Sequence, residues 1–92
     1  QFPFMASGRA KAMEQTAGFV KIISSEDDDE ILGVHIVGPM AGELISEAVL
    51  ALEFNASTED IQRTIHAHPS LAEAVHEAAL AVDGKALNFP NK

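Results

Sequence analysis

The chain has 92 residues, which suits one small domain, and its core must be aliphatic because it contains five Phe but no Trp or Tyr. Its net charge of −8, from 14 acidic residues against 6 Lys and Arg, argues against DNA, RNA or an anionic membrane surface as a partner, since each needs a basic face. No cysteine is present, which excludes a disulfide framework, a thiol nucleophile and a thiolate metal site, and leads us to expect a cytoplasmic protein.

The first part of the chain predicts a short helix or irregular turn followed by a β-hairpin. Residues 5–15 are rich in Ala and Met and contain one Gly. The segments GFVKIISS (18–25) and ILGVHIV (31–37) are β-branched runs of strand length, so we predict a hairpin over 18–37. The five acidic residues between them, EDDDE (26–30), repel each other in any compact arrangement, which favours a solvated loop over an acidic ligand site.

The segment that follows Gly38-Pro39 predicts a helix over 41–54. One apolar stripe follows helical spacing, and its members are Ala41, Leu44, Ile45, Ala48, Val49 and Leu52. Leu50 and Phe54 fall on the opposite side of this helix, where a free-standing domain would place polar side chains. We therefore predict that another surface covers them.

Two further helices are predicted, over 58–65 and 70–82. Ser57 and Asp60 have the spacing of a capping box at the start of the first, and an alanine-rich apolar stripe runs along the second. No apolar stretch approaches the roughly 18 residues that a membrane span requires. Strands joined by a hairpin and followed by helices predict an α+β fold with an antiparallel sheet, as a single domain over 1–92.

The stretch HAHPSLAE, residues 66–73, holds the candidate site. Pro69 disfavours the helical conformation for His68, so we expect His68 on extended chain that leads into the last helix. Ser70 and Glu73 have the spacing of a second capping box, in which the serine hydroxyl accepts from the Glu73 amide and the carboxylate reaches back. This interpretation gives Glu73 a purely structural role.

The same residue types allow two chemical interpretations. His66 and His68, with Glu73 or His76, are suitable metal ligands, but one short cluster without a distant second ligand pair is a poor match to a metal centre, and we predict none. Alternatively, the Glu73 carboxylate accepts a hydrogen bond from one ring nitrogen of His68, fixes its tautomer and favours the imidazolium, which makes His68 a suitable acid and base. The chain offers such a base no nucleophile and no nucleotide loop, which suggests that the rest of the site lies on another chain or segment.

Three segments in order, GFVKI, ILGVHIVGPMAGELISEAVLALEF and HAHPSLAEAVHEAALAVDGKALNF, closely resemble the C-terminal interface domain of the flavin-dependent disulfide reductases, and among them the dihydrolipoamide dehydrogenase family. The resemblance extends from about Phe2 to Phe89. The form HAHP-x-L-x-E, with AGELI upstream, favours this family over the glutathione and trypanothione reductases. Asn55 stands where Gly is usual, Ser70 where Thr is usual and Ala72 where Ser is usual, and none of these departures removes a group that the family's mechanism needs.

The resemblance implies a role for each residue of the motif. His68 would be the catalytic base and Glu73 its orienting partner, acting in the active site of the other subunit of a two-fold homodimer. His68 would deprotonate the thiol of dihydrolipoamide, because a thiolate is needed to attack the redox disulfide. The dimer interface would include four further residues: Leu50, Phe54, His66 and Pro69.

The resemblance also implies that residues 1–92 are part of the C-terminal interface domain of a larger flavoenzyme. The family's glycine-rich flavin fingerprint and redox cysteine pair are absent from the sequence, so FAD and NAD are expected in the full-length parent and neither cofactor nor activity is expected for this fragment. Expected partners are a second copy and, for the parent, lipoyl domains and the acyltransferase core of a 2-oxo acid dehydrogenase complex. Two alternatives stay open: an autonomous acidic α+β dimerisation or binding module without redox chemistry, and the interface domain of a related disulfide reductase.

Overall fold

The computed structural model describes residues 1–90, which form a three-stranded antiparallel sheet packed against helices. The strands are β1 (Phe2–Pro3), β2 (Phe19–Ser24) and β3 (Ile31–Val37), and they lie in the sheet in chain order. The α-helices are α1 (Gly8–Ala12), α2 (Ala41–Glu53), α3 (Thr58–Gln62) and α4 (Glu73–Val82), with a 3-10 turn over Phe4–Ala6. The predicted α+β fold is confirmed. Strand β1 was not predicted, because two residues are too few to show a strand period.

One face of the sheet lies in the core because β2 alternates buried and exposed residues. Val20 and Ile22 of β2 are buried and lie opposite Ile36 and Val34 of β3, whereas Lys21 is exposed. Helix α4 packs along β2 and contributes buried alanines to the same core. The helix that follows the HAHP motif is therefore held by the central strand of the sheet.

Helix α2 lies against β3, which is an edge strand, and it is less buried than its apolar stripe predicted. Ala48 is buried and Ala51 packs against the core, but Val49 and Leu52, which we assigned to the inner stripe, are exposed. An edge strand offers only a narrow contact to a helix. Apolar side chains consequently remain on the outside of α2 in this chain.

Helices α3 and α4 are both shorter than predicted. Helix α3 ends at Gln62 rather than at 65, and α4 begins at Glu73 rather than at 70. Residues 63–72 form an irregular connection, because Pro69 and local side-chain hydrogen bonds compete with helical ones. Within residues 1–90, no helix is long and apolar enough to cross a bilayer.

The start of α3 carries two sets of capping interactions. The predicted capping box is present, since the Asp60 amide donates to the Ser57 hydroxyl at 3.2 Å and the Ser57 amide donates to the Asp60 carboxylate at 2.9 Å.

The predicted hairpin is also present, but its acidic loop is not wholly solvated. The Asp29 carboxylate accepts hydrogen bonds from the Thr58 hydroxyl at 2.5 Å and the Glu59 amide at 3.0 Å. An acid that looked like part of a charge run therefore fastens the hairpin to a helix N-terminus.

Candidate functional site

His68 lies in the connection between α3 and α4, and Glu73 is the first residue of α4. Both carboxylate oxygens of Glu73 lie 2.9 Å from Nδ1 of His68. The peptide bond between His68 and Pro69 is cis. The structure thus brings together His68 and Glu73, as their spacing in the sequence predicted.

The Glu73 carboxylate is held from two directions. Besides the His68 ring, its Oε1 accepts a hydrogen bond from the Ser70 amide at 3.0 Å. Burial works to raise the pKa of Glu73, but the hydrogen bonds from the Ser70 amide and the His68 ring, with the charges of His68 and His76, outweigh it and hold that pKa below its ordinary value of 4.5. Glu73 is therefore an ionised acceptor at neutral pH, and Nδ1 of His68 must carry the proton.

Only half of the predicted capping box forms at Ser70. The Ser70 amide donates to the Glu73 carboxylate as predicted, but the Ser70 hydroxyl donates to the Ala67 carbonyl at 2.6 Å. The Glu73 amide donates to the Ser70 backbone carbonyl at 3.3 Å, and the N-cap position of α4 is Ala72, which has no side-chain cap. The predicted bond from the Glu73 amide to the serine hydroxyl is wrong, because that hydroxyl closes the preceding turn over 67–70.

The opposite edge of the His68 ring is open. Its side chain is 78% exposed, and Nε2 has no hydrogen-bond partner among the described residues 1–90. Since Nδ1 donates to Glu73, Nε2 carries the lone pair and can accept a proton, after which the carboxylate stabilises the imidazolium. A carboxylate that orients a histidine through Nδ1 and leaves Nε2 free is the arrangement of a general base.

His66 lies in a very different environment. Its side chain is 6% exposed, with Nε2 2.6 Å from Oε2 of Glu47 on α2 and Nδ1 2.9 Å from the Thr64 carbonyl. The ring stacks on His76 of α4 with centroids 4.7 Å apart, and Nε2 of His76 lies 2.9 Å from the Gln62 carbonyl. The two imidazoles stack instead of converging on a point. No group of His, Asp and Glu side chains in the described part of the chain is arranged to hold a metal ion.

The remaining predicted interface residues are on the surface. Leu50 and Phe54 are 59% and 75% exposed on the outer side of α2, and Pro69 is exposed beside His68. These three side chains are available to a second surface, whereas the His66 side chain is turned into the chain. The place of all four residues in a dimer interface stays a prediction.

Besides Asp29, two acidic residues have structural roles that the sequence did not reveal. Glu47 holds His66, but the two are 19 residues apart and no local pattern connects them. Glu77 is a buried carboxylate on α4 that accepts the Leu87 amide at 2.7 Å and the Asn88 side-chain amide at 2.5 Å. The signal that could have found Glu77 is its place inside an otherwise alanine-rich apolar run, where an acid needs partners.

Comparison with known proteins gives a consistent result. A family model for the dimerisation domain of pyridine nucleotide-disulphide oxidoreductases matches residues 1–79. The chain is 57% identical over 88 residues to a dihydrolipoamide dehydrogenase of Chaetomium thermophilum and 58% identical over 89 residues to a dihydrolipoyl dehydrogenase of Cupriavidus necator. These matches cover 96% and 97% of this chain but only 18% and 19% of the length of those two relatives.

A solved structure supports the same assignment. The crystal structure of LpdA from Mycobacterium tuberculosis matches with a TM-score of 0.83 and 31% identity, over 88% of this chain and 18% of that one. The family model covers most of the chain, and identity to the curated relatives is high over nearly its whole length. The chain therefore belongs to the pyridine nucleotide-disulphide oxidoreductases, as a dimerisation domain of the dihydrolipoamide dehydrogenase type.

Proposed function

We propose that this chain is the C-terminal part of a dihydrolipoamide dehydrogenase and donates His68 and Glu73 as an acid–base pair to the active site of a second subunit. The observation that carries this proposal is the His68–Glu73 pair itself, with two 2.9 Å contacts to Nδ1 and an open Nε2. The Nδ1 edge of the His68 ring is oriented by Glu73, and the rest of the ring is exposed. His68 is therefore accessible to a group on another chain.

A homodimer supplies that second surface. In a two-fold dimer, a surface patch packs against the same patch of the other subunit, so each exposed apolar residue in that patch is buried on both subunits. Phe54 and Leu50 on α2 and Pro69 beside the base are such residues. This supports, within the proposal, an interface that brings His68 of each subunit to the partner's redox centre.

The chemistry follows from the free nitrogen. Nε2 of His68 takes the proton from a thiol of dihydrolipoamide, and the resulting thiolate attacks one sulfur of a redox disulfide supplied by the rest of the parent enzyme. The other sulfur leaves as a thiolate, and the His68 imidazolium, paired with Glu73, stabilises this negative charge. The second thiol of dihydrolipoamide then attacks the mixed disulfide, which releases oxidised lipoamide and leaves both sulfurs of the redox disulfide reduced. FAD, when bound to the parent, would supply the redox chemistry that carries these two electrons to NAD.

The proposal extends to partners and location. Lipoyl domains carry the dihydrolipoamide substrate, so the parent would meet them and the acyltransferase core of a 2-oxo acid dehydrogenase complex. A cytoplasmic location is part of the same proposal. The 92-residue chain by itself contains no glycine-rich flavin fingerprint and no cysteine pair, and we expect it to bind neither FAD nor NAD and to be inactive alone.

The decisive experiment replaces His68 with Gln in the full-length parent. Oxidation of dihydrolipoamide by NAD should fall by about 10²–10⁴-fold, the usual contribution of a positioned base. Transfer from NADH to an artificial acceptor at the flavin should fall much less, because it needs no thiol deprotonation. Equal loss of both activities, with flavin retained, would identify His68 as a structural residue and favour the alternative of a dimerisation module without a catalytic role.

A further inference from the structure

The His66 side chain is buried and has a hydrogen-bond acceptor at each ring nitrogen, whereas the His68 side chain is exposed. Its Nε2 lies 2.6 Å from a carboxylate oxygen of Glu47, and its Nδ1 lies 2.9 Å from the Thr64 carbonyl oxygen. Both of these atoms are hydrogen-bond acceptors only. One face of the ring is covered by the imidazole of His76, whose own Nε2 meets the Gln62 carbonyl at 2.9 Å.

Both contacts of the His66 ring are satisfied as hydrogen bonds only when both ring nitrogens carry protons. A neutral imidazole has one N–H and one lone pair, so it can donate to only one of two acceptors and would direct its lone pair at the other. Two donors exist only in the imidazolium, and the short distance of 2.6 Å between Nε2 and the carboxylate oxygen agrees with this form, because a charged donor shortens the hydrogen bond. His76 needs only its Nε2 proton to satisfy the Gln62 carbonyl.

His66, Glu47 and Thr64 together form what we call the charged clamp. Its histidine lies two residues before His68. Between α3 and α4 the backbone makes no regular secondary structure, and Ile65 beside the clamp is almost wholly exposed. On its far side, the His68 ring contacts the Glu73 carboxylate, and the Ser70 hydroxyl donates back to the Ala67 carbonyl. The clamp ties the N-terminal side of this segment to α2.

We propose that His66 is a positioning residue for His68: as an imidazolium bound to Glu47, it fixes the backbone from which the base is presented. This inference rests on the proposed catalytic role of His68. A displacement of about 1 Å at a reacting group can cost up to 10²-fold in rate, so the clamp has a measurable effect without touching substrate.

The protonation state is tested directly in the 92-residue chain. With ¹⁵N-labelled histidine, both ring nitrogens of His66 should carry protons at neutral pH, and Glu47→Gln should remove one of them because its amide no longer stabilises the cation. His35, exposed on β3 opposite Lys21, serves as the internal control and should be unaffected by Glu47→Gln. A His66 ring with a single protonated nitrogen at neutral pH in the unsubstituted chain would overturn the charged clamp.

The positioning role is tested in the full-length parent with His66→Gln and Glu47→Gln. Each should slow dihydrolipoamide oxidation by about 10-fold, with flavin content and NADH-to-acceptor transfer retained. The double variant should be no worse than either single one, as expected for residues that act as one pair. In a His68→Gln background, His66→Gln should have no further effect, because the clamp acts only through the base.

The outcomes are distinguishable. If His66→Gln behaves like the control His35→Gln while His68→Gln abolishes thiol oxidation, the positioning role is wrong and the proposed function stands. If His68→Gln causes no selective loss, the proposed function fails and the positioning role fails with it.

Discussion

The carboxylate of Glu73 contacts Nδ1 of His68 with both of its oxygens, each at 2.9 Å, while one of them also accepts the Ser70 amide at 3.0 Å. One side chain therefore orients the ring of the candidate base and secures the backbone that follows it. Glu73 is the first residue of α4, and α4 packs on the central strand β2. The position of the His68 ring is therefore fixed relative to the core of the domain.

Replacing Glu73 with Gln should slow dihydrolipoamide oxidation in the full-length parent, but less than His68→Gln does. A glutamine retains an oxygen that can accept from Nδ1 or from the Ser70 amide, but it removes the charge that stabilises the imidazolium, and changes to such supporting residues commonly cost about 10–100-fold. Steady-state rates with dihydrolipoamide and NAD measure the effect. Glu26→Gln, in the exposed hairpin loop, is the matched control, and an equal loss in both variants would contradict the prediction.

The same carboxylate makes the stability of the domain depend on pH. The pKa of Glu73 is lowered on folding, so its contribution is fully present above the ordinary value of 4.5 and is lost as pH falls through the lower, folded-state pKa. Urea unfolding of the chain and of Glu73→Gln should therefore give a difference in unfolding free energy at neutral pH that shrinks in acid. A difference that is constant across this range would show that the ionised carboxylate does not stabilise the fold.

The outer side of α2 should drive self-association. With Leu50 and Phe54 exposed, we expect the chain to form a two-fold dimer at tens of micromolar, roughly the range in which weak interfaces are populated. Light scattering should show a dimer that Phe54→Ser and Leu50→Ser shift to monomer. Leu32→Ser is the matched control, since Leu32 is equally exposed but lies on β3. A monomer at all concentrations, or dissociation by Leu32→Ser alone, would contradict this surface.

Gly18 should be required where the chain entering β2 passes close to Val37 at the end of β3. Its φ is +104°, and a β-carbon there would lie 1.8 Å from the Val37 carbonyl oxygen. Gly18→Ala should lower the free energy of unfolding by about 2 kcal/mol or more, because both the backbone conformation and the contact must change. Gly8→Ala is the control, since a β-carbon at Gly8 would meet nothing within 4 Å. Gly8 is the first residue of α1, where alanine should leave the free energy of unfolding unchanged or raise it slightly. Chemical denaturation of the two variants measures the contrast.

Short-range features of this protein could be predicted from the sequence because their partners are close along the chain. The β-branched runs around an acidic loop determined the hairpin, and the spacing of Ser57 and Asp60 determined a capping box. The pairing of His68 with Glu73 is of the same kind, since a turn followed by a helix start brings residues five apart together. Leu50 and Phe54 were correctly placed outside the helix stripe by the helical period alone.

Other features depended on how the elements pack, and no local pattern contained them. The contact of Asp29 with Thr58 joins a hairpin loop to a helix 29 residues later, and the contact of Glu47 with His66 joins two segments 19 residues apart. The exposure of Val49 followed from packing α2 on an edge strand, which only the strand order decides. Local propensity and spacing act over about one helical turn, whereas the partners of a buried charge are chosen by the packing that buries it. For that reason the sequence alone determined the pair at the start of α4, and the tertiary structure decided what holds His66 behind it.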